Sequence, residues 1–166
     1  IETDSKSGHR VMFDISPYRT TGSQLYLLLP AWAREGGFSA MLPRLRDTVL
    51  RQKIVADLKL LSLHFGKFWV SEAEDGLSTG KTLKALAERM GIDPHELVIE
   101  LLIANRGRVS IVGETLHPKN VEMGIKSALS IIASNGSAYD IANPPSDFPH
   151  PRSFGTFPHF LHVYVR

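Results

Sequence analysis

Residues Ala128–Ala133 read Ala-Leu-Ser-Ile-Ile-Ala, and this apolar run stops at Ser134-Asn135-Gly136. A short apolar run that ends in a turn signal is typical of a buried strand. Polar residues just past the C-terminal end of a strand are where α/β enzymes place their chemistry. Arg152 follows in a segment rich in proline and histidine. Because a loop arginine can hold a carboxylate through two parallel hydrogen bonds, the end of the chain is a candidate binding site.

The overall composition limits the class of protein. The chain has 166 residues, 43% of them hydrophobic, which is enough for one domain with a core. The net charge of +2 and the scattered basic residues argue against binding to nucleic acid. No apolar run reaches the ~20 residues that would cross a membrane. There is no cysteine, which excludes a disulfide or a thiolate zinc site within the chain and fits a cytoplasmic location.

Periodicity and turn signals predict two strands separated by a long, mainly helical segment. The first strand is expected within His9–Ile15 and the second at Ala128–Ala133, with a turn at Thr20–Ser23. After a loop that contains Arg152, a last helix is expected at Thr156–Val165. The chain does not begin with Met and stops within this predicted helix, so we expect both ends to be cuts.

Several motifs share their order with one family. They are Ser134-Asn135-Gly136, His150-Pro151-Arg152, Gly155-Thr156-Phe157, Phe13-Asp14-Ile15-Ser16-Pro17-Tyr18, Thr21-Gly22-Ser23, Leu29-Pro30-Ala31-Trp32-Ala33, Gly36-Gly37 and Gly80-Lys81-Thr82-Leu83. Together they resemble the C-terminal barrel segment of the N-acyl-D-amino-acid deacylases (D-aminoacylases) of the amidohydrolase superfamily. The family pattern is Ser-Asp-Gly, a short loop, His-Pro-Arg and Gly-Thr-Phe, preceded by Asp-x-Tyr-Pro-Tyr, Ala-Gly-Ser and Gly-Lys-Thr-Leu.

The resemblance implies an α/β fold: the C-terminal part of a (β/α)8 amidohydrolase barrel, with a long, mainly helical insertion between the last two strands. Residues 1–18 would form a strand and turn, residues 19–127 the insertion, and residues 128–166 the last strand, the substrate loop and a helix. A connection of this length is uncommon unless it has a function, and in the family it lies over the mouth of the active site.

By the same resemblance, the parent enzyme hydrolyses an N-acyl-D-amino acid to a carboxylate and a free D-amino acid, with a zinc-activated water. The metal ligands of the family come from earlier strands, and this chain has no His-x-His pair and no cysteine. We therefore expect no zinc on this chain alone and no turnover. The missing N-terminal half or self-association would supply further partners. The alternative is a non-catalytic binding module that holds a small carboxylate or a partner protein.

The resemblance also implies roles for individual residues. Asn135 stands where the family has a catalytic aspartate, which moves a proton between water and the leaving amine. An amide cannot exchange a proton in this way near neutral pH. Asn135 could orient a water, or it could be simply the turn former of an Asn-Gly pair. Arg152 and Ser23 would bind the substrate carboxylate, and Tyr18 would form a pocket wall. Ser16 replaces a family tyrosine that contacts the substrate or the oxyanion.

Two further sequence patterns suggest a binding site, but each has a simpler interpretation. Gly80-Lys81-Thr82 suggests a phosphate-binding loop, but Asp75 occupies the position of the first glycine in that motif. A helix N-terminus in a polar loop is the favoured interpretation. His159 and His162 share a helix face and could begin a metal site, but neither has a carboxylate or third histidine at a matching position. A partly exposed amphipathic helix is favoured there.

Overall fold

The computed structural model describes residues 11–140, 142 and 148–166. The described residues form two compact units. We call them the strand-pair unit, which takes the described residues of 1–21, 115–145 and 150–166, and the helical unit, which takes those of 22–114 and 146–149. None of the described helices is both long and apolar enough to cross a lipid bilayer.

Five strands are interspersed with the helices of the described chain. In order they are β1 (Phe13–Ile15), β2 (Thr20–Gln24), a 3-10 turn (Leu25–Leu28), α1 (Ala31–Arg34), α2 (Gly37–Arg46), α3 (Thr48–Lys59), a second 3-10 turn (Phe65–Lys67), β3 (Phe68–Ala73), α4 (Leu83–Met90), α5 (Pro94–Ala104), β4 (Val109–Glu114), α6 (Pro118–Ile125), β5 (Ser130–Ile132), α7 (Arg152–Phe160) and a π-helical turn (Leu161–Val165).

Capping residues explain where the helices of the helical unit begin and end. The Asp47 carboxylate accepts hydrogen bonds from the backbone N–H groups of Val49 and Leu50 at the start of α3. Thr82 and Asp93 cap α4 and α5 in the same way. These bonds satisfy N–H groups that have no partner within a helix. Gly91 ends α4 in the left-handed conformation, at φ 66°, as predicted from its sequence position.

A three-stranded sheet in the order β2-β4-β3 runs through the helical unit. β3 and β4 are antiparallel and pair Val70 with Ile111. The turn predicted at Thr20–Ser23 is wrong, because these residues belong to β2. The Gly-Ser pair suggested a turn, whereas two adjacent threonines favour a strand and the neighbouring β4 completes the hydrogen bonding.

One hydrophobic core fills the helical unit, and α5 contributes more buried residues to it than any other described helix. Five residues of α5 are buried, because apolar side chains cover most of its circumference. Helical spacing in the sequence predicts only Leu97, Leu101 and Leu102 as its buried face. The other buried positions come from the helices and strands around α5: Leu25, Leu29, Ala33, Met41, Leu45, Ile54, Val55, Leu58, Val70, Leu83, Leu86, Ala87, Val109 and Ile111.

The strand-pair unit is built on a parallel pair, β1 and β5, in which Ile15 lies beside Ile132. α6 packs on the face that carries these residues, and a Cβ on Gly124 would overlap Cδ1 of Ile15. A strand lies within Ala128–Ala133 as predicted, but the prediction that it is buried is wrong: β5 is only three residues long, and Ile131 is 46% exposed. Side chains alternate between the two faces of a strand, so Ile131 points away from the face that α6 covers.

The last helix begins earlier than predicted. α7 starts at Arg152 and not at Thr156, and a π-helical turn continues it to Val165. Arg152 is therefore the first residue of a helix, and the prediction of a loop arginine is wrong. The usual signals of a helix start, such as Ser, Thr, Asp or Asn, are absent before Arg152, which is why sequence rules placed the boundary too late.

Candidate functional site

The main chain at Arg152 is held on both sides. Its backbone N–H donates to Nδ1 of His150 over 3.0 Å, and its carbonyl oxygen accepts from Oγ1 of Thr156 over 2.8 Å. The Nε atom of the Arg152 side chain is buried and has no hydrogen-bond partner among the described residues. A buried, unpaired donor of a charged group is costly, so this atom is suited to an acceptor brought by a ligand.

His150 connects the start of α7 to the first residue of β2. The ring is 7% exposed, and its Nε2 lies 2.9 Å from both the carbonyl oxygen and Oγ1 of Thr20. Since Nδ1 accepts a hydrogen bond from the Arg152 N–H, the neutral ring carries its proton on Nε2, and this N–H donates a hydrogen bond to Thr20. Burial lowers the pKa of His150 below its ordinary value of 6.5, and the charge of Arg152 adds to the effect, against the hydrogen bond to Thr20.

The turn that contains Asn135 packs against the first turn of α7. A Cβ on Gly136 would lie 2.7 Å from Cα of Ser153 and 3.1 Å from the carbonyl oxygen of Arg152. The Ser137 N–H donates to Oγ of Ser153 over 3.2 Å. Asn135 is exposed and has φ 47°, a left-handed conformation that asparagine tolerates. The structure thus brings the residues after β5 and the start of α7 together, and the geometry of Asn135 fits its interpretation as a turn former.

Tyr18 packs against α7. Its ring stacks on His159 at 4.5 Å and meets His150 edge-on at 5.5 Å. A Cβ on Gly155 would come within 2.9 Å of the phenol oxygen, so glycine is needed for this approach. Burial raises the pKa of Tyr18 above its ordinary value of 10.0, and the phenol stays protonated at neutral pH. Tyr18 therefore presents an uncharged aromatic surface.

Ser16 and Ser23 lie in different surroundings. Oγ of Ser16 is buried and has no hydrogen-bond partner among the described residues. Ser23 is an exposed residue of β2 and belongs to the helical unit. The predicted role of Ser23 at a substrate carboxylate stays a prediction, as do the roles of Ser16, Tyr18, Asn135 and Arg152.

The described residues do not provide a zinc site. Among residues 11–140, 142 and 148–166, no three His, Cys, Asp or Glu side chains are grouped so that they could hold a metal ion. Both ring nitrogens of His150 are already hydrogen-bonded, and His159 is stacked on Tyr18. The side chains of the described residues therefore do not form a set of ligands that fits a zinc ion.

The loop before α4 does not have the geometry of a phosphate-binding loop. The Asp75 carboxylate accepts from the backbone N–H groups of Leu77 and Ser78 over 2.9 and 3.0 Å. The Lys81 ammonium donates to the carbonyl oxygen of Leu77. A carboxylate of the chain thus occupies donors that a phosphate would need, and Thr82 caps α4. These contacts favour the interpretation as a helix N-terminus.

Comparison with known proteins gives matches to solved structures only. No family model matches the chain, and no curated protein matches its sequence. N-acyl-D-glutamate deacylase from Bordetella bronchiseptica, complexed with zinc and a phosphonate inhibitor, matches with a TM-score of 0.63 and 18% sequence identity. D-aminoacylase, described as defining a novel subset of amidohydrolases, matches with a TM-score of 0.60 and 19% identity.

The chain has the fold of part of a D-aminoacylase. Each of these matches covers 99% of this chain but only 26% of the solved structure, so the chain spans about a quarter of its structural relatives. The resemblance expected from the sequence motifs is confirmed at the level of the fold. Identities below a quarter do not carry the activity over to this chain.

Two residues that hold the start of α7 were missed by sequence reasoning. His150 entered only as part of a His-Pro-Arg motif, and Thr20 was assigned to a turn. A histidine followed by proline, two positions before a helix that has no other cap, was the available signal for His150. No local signal could find Thr20, because its contact with His150 spans 130 residues.

We expect Gly136→Ala to destabilise the strand-pair unit by about 1 kcal/mol, because the new methyl group would overlap the backbone of Ser153 and Arg152. Amide hydrogen exchange at Phe13 and Ala133, whose N–H groups donate across the β1–β5 pair, measures this effect. Gly66→Ala is the control, since its methyl group would lie 3.7 Å from Lys84 in ordinary contact. Equal exchange in both variants would contradict the tight packing at Gly136.

Proposed function

We propose that this chain is the C-terminal part of a (β/α)8 metal-dependent amidohydrolase that hydrolyses N-acyl-D-amino acids to a carboxylate and a free D-amino acid. In this proposal, residues 128–166 provide the last barrel strand, the substrate-binding segment and a helix. Residues 19–127 provide an insertion between the last two strands. The chain by itself does not catalyse the reaction.

The fold similarity supports this assignment. It extends over 99% of the chain and reaches TM-scores of 0.60 to 0.63 against D-aminoacylase and N-acyl-D-glutamate deacylase. A parallel pair, β1 and β5, with a helix after β5, is what two adjacent strands of a β/α barrel would give. In such barrels the residues just after the strands carry the chemistry, and Asn135 follows β5 directly.

The observation that carries the proposal is the buried, unpartnered Nε of Arg152 at the start of α7. The neighbouring turn at Asn135–Gly136 packs against the same helical turn, so an acceptor bound to Arg152 would lie near the end of β5. A guanidinium matches a carboxylate in shape as well as charge. Arg152 is therefore assigned the substrate carboxylate.

The remaining residues take supporting roles in this proposal. Tyr18 forms a wall of the pocket, and the buried hydroxyl of Ser16 contacts the substrate. Asn135 orients a water or the substrate through its amide, but it cannot take or return a proton near neutral pH. The described residues do not form a zinc site, and in this proposal earlier strands of the barrel hold the zinc of the parent enzyme. The partners are thus a small N-acyl-D-amino acid and either the remaining barrel or a second copy.

A binding titration followed by NMR tests the proposal. We expect N-acetyl-D-glutamate to shift the signals of Arg152 and of residues 134–137, and the matching ligand with an amide in place of the carboxylate to shift them far less. Arg152→Gln should weaken binding roughly 10- to 100-fold, since a hydrogen bond to a charged group contributes about 1.5–3 kcal/mol. Arg108→Gln is the matched control, because Arg108 pairs with Glu74 in the helical unit.

The same samples separate the proposal from its alternative. Equal binding of the carboxylate and its amide, or unchanged binding by Arg152→Gln, would contradict the assignment of Arg152. Carboxylates of many kinds binding equally well would favour a non-catalytic binding module. Release of free D-amino acid by the purified chain, together with bound zinc in elemental analysis, would contradict the proposal that it is inactive alone.

A further inference from the structure

We propose that His150 is a positioning residue. Its ring connects the first turn of α7 to Thr20 by hydrogen bonds and so fixes the position of the main chain from which the Arg152 side chain extends. The importance of this position rests on the proposed function, in which Arg152 binds a carboxylate. The hydrogen bonds between His150, Thr20 and Arg152 lie within the strand-pair unit, and their effect can be tested without any ligand.

The two nitrogens of the His150 ring make hydrogen bonds to different parts of the chain. Nδ1 accepts from the backbone N–H of Arg152 over 3.0 Å, which supplies the cap that α7 otherwise lacks. Nε2 lies 2.9 Å from the carbonyl oxygen and from Oγ1 of Thr20. One buried ring thus joins the start of the last helix to a residue 130 positions earlier in the chain.

A second tripeptide of the same type in the chain forms the same helix cap at an exposed position. His117-Pro118-Lys119 begins α6, as His150-Pro151-Arg152 begins α7. Nδ1 of His117 accepts from the Lys119 N–H over 3.3 Å, which is the same contact across the same spacing. His117 is exposed, whereas His150 is buried. A His-Pro-cation start therefore caps a helix in either place, and the bond to Thr20 is an additional feature of His150.

The side chain of Arg152 depends on this arrangement. With its N–H bonded to His150 and its carbonyl bonded to Thr156, the main chain at Arg152 is fixed. Its Nε is buried without a hydrogen-bond partner among the described residues, so its position depends on packing and on where this main chain is held. If the ring lost Thr20, the first turn of α7 could shift, and the guanidinium would move with it.

Two amide substitutions separate the hydrogen bond that caps α7 from the hydrogen bond to Thr20. In His150→Asn, the side-chain oxygen can stand near the position of Nδ1 and keep the cap, but the side chain is too short to reach Thr20. In His150→Gln, the amide can reach Thr20, but no acceptor remains for the Arg152 N–H. His117→Gln is the matched control, because it removes the same cap from α6 alone.

NMR of the 15N-labelled chain tests the inference. In the wild type we expect the His150 ring to carry its proton on Nε2, and Nε–H of Arg152 to be as rigid as the backbone. His150→Gln should speed exchange of the Arg152 amide about tenfold, the effect of one lost hydrogen bond. His150→Asn should keep that amide protected within about twofold but make Nε–H of Arg152 mobile. His117→Gln should change exchange at Lys119 and leave Arg152 unaltered.

The outcomes distinguish this inference from the proposed function. A ring proton on Nδ1, or a rigid Nε–H of Arg152 in both His150 variants, would overturn the positioning role. If the wild type binds N-acetyl-D-glutamate and His150→Asn binds it equally well with a rigid Arg152, the positioning role fails and the proposed function stands. If the wild type binds nothing, while His150→Asn frees Nε–H of Arg152, the positioning role stands and the proposed function fails.

Discussion

Leu102→Ala is expected to lower the free energy of unfolding of the helical unit by about 2–5 kcal/mol. Leu102 is 0% exposed and lies near the C-terminal end of α5, the helix with the most buried residues in the described core. Removing its side chain takes away the transfer free energy of three carbon atoms and leaves a cavity. Neighbouring side chains from α2, α3 and α4 are themselves fully buried, so little can move to fill that cavity.

Urea unfolding followed by tryptophan fluorescence measures this loss, because both tryptophans, Trp32 and Trp69, belong to the helical unit. Leu60→Ala is the matched control: Leu60 is 83% exposed, and its truncation should change the unfolding free energy by less than about 0.5 kcal/mol. A loss below about 1 kcal/mol in Leu102→Ala would mean that the core around α5 is loosely packed.

Helices with strong local signals were predictable from the sequence. The sequence predicts Asp47 and Asp93 as capping residues, and the structure confirms them at the starts of α3 and α5, with Pro94 in the first turn of α5. Gly91 marked the end of α4 correctly. These features depend on a few neighbouring residues, and so the sequence alone contains the information.

Features that depend on distant residues were not predictable in this way. β2 forms because β4 lies beside it, and no local rule reveals that neighbour. The early start of α7 depends on the His150 ring, whose bond to Thr20 spans most of the chain. The order of the motifs nevertheless identified the correct fold, because that order reflects the whole chain and not one segment.

The candidate site, too, was predictable from the sequence only in part. The position of Arg152 came from the His-Pro-Arg motif, but its buried and unpartnered Nε could be known only from the packed structure. The contact between Gly136 and the first turn of α7 likewise depends on folding. Asn135 could be read from the sequence as an Asn-Gly turn former, and its left-handed backbone agrees with that interpretation.

Asn105→Ala is expected to cost the helical unit about 1–3 kcal/mol, since the Asp75 N–H loses its side-chain acceptor and the Leu101 carbonyl keeps only the Asn105 backbone N–H. Asn105 is 0% exposed and stands just after α5. Its Oδ1 accepts from the backbone N–H of Asp75 over 2.8 Å, and its Nδ2 donates to the carbonyl oxygen of Leu101 over 2.9 Å. One amide thus closes the end of α5 and holds the loop that begins at Asp75.

The Asp75 carboxylate gives this prediction a pH dependence. Burial opposes its ionisation, but hydrogen bonds from Ser78, Leu77 and Asn105 outweigh burial and lower the pKa of Asp75 below its ordinary value of 3.8. A lowered pKa in the folded state contributes stability above the unfolded pKa, and that stability is lost as the pH falls through the folded pKa. Asn105→Ala removes one of these bonds, so its cost should be larger at pH 7 than at pH 2.

Urea unfolding at both pH values, followed by tryptophan fluorescence, measures the difference. A double-mutant cycle with Asp75→Ala isolates the contact, because the coupling should appear at pH 7 and shrink in acid. Asn120→Ala, at an exposed position of α6, is the control for losing an asparagine without burial. A cost that is equal at both pH values would mean that Asn105 acts only through the backbone groups of Asp75 and Leu101. A cost below about 0.5 kcal/mol at pH 7 would contradict its role in joining α5 to the loop.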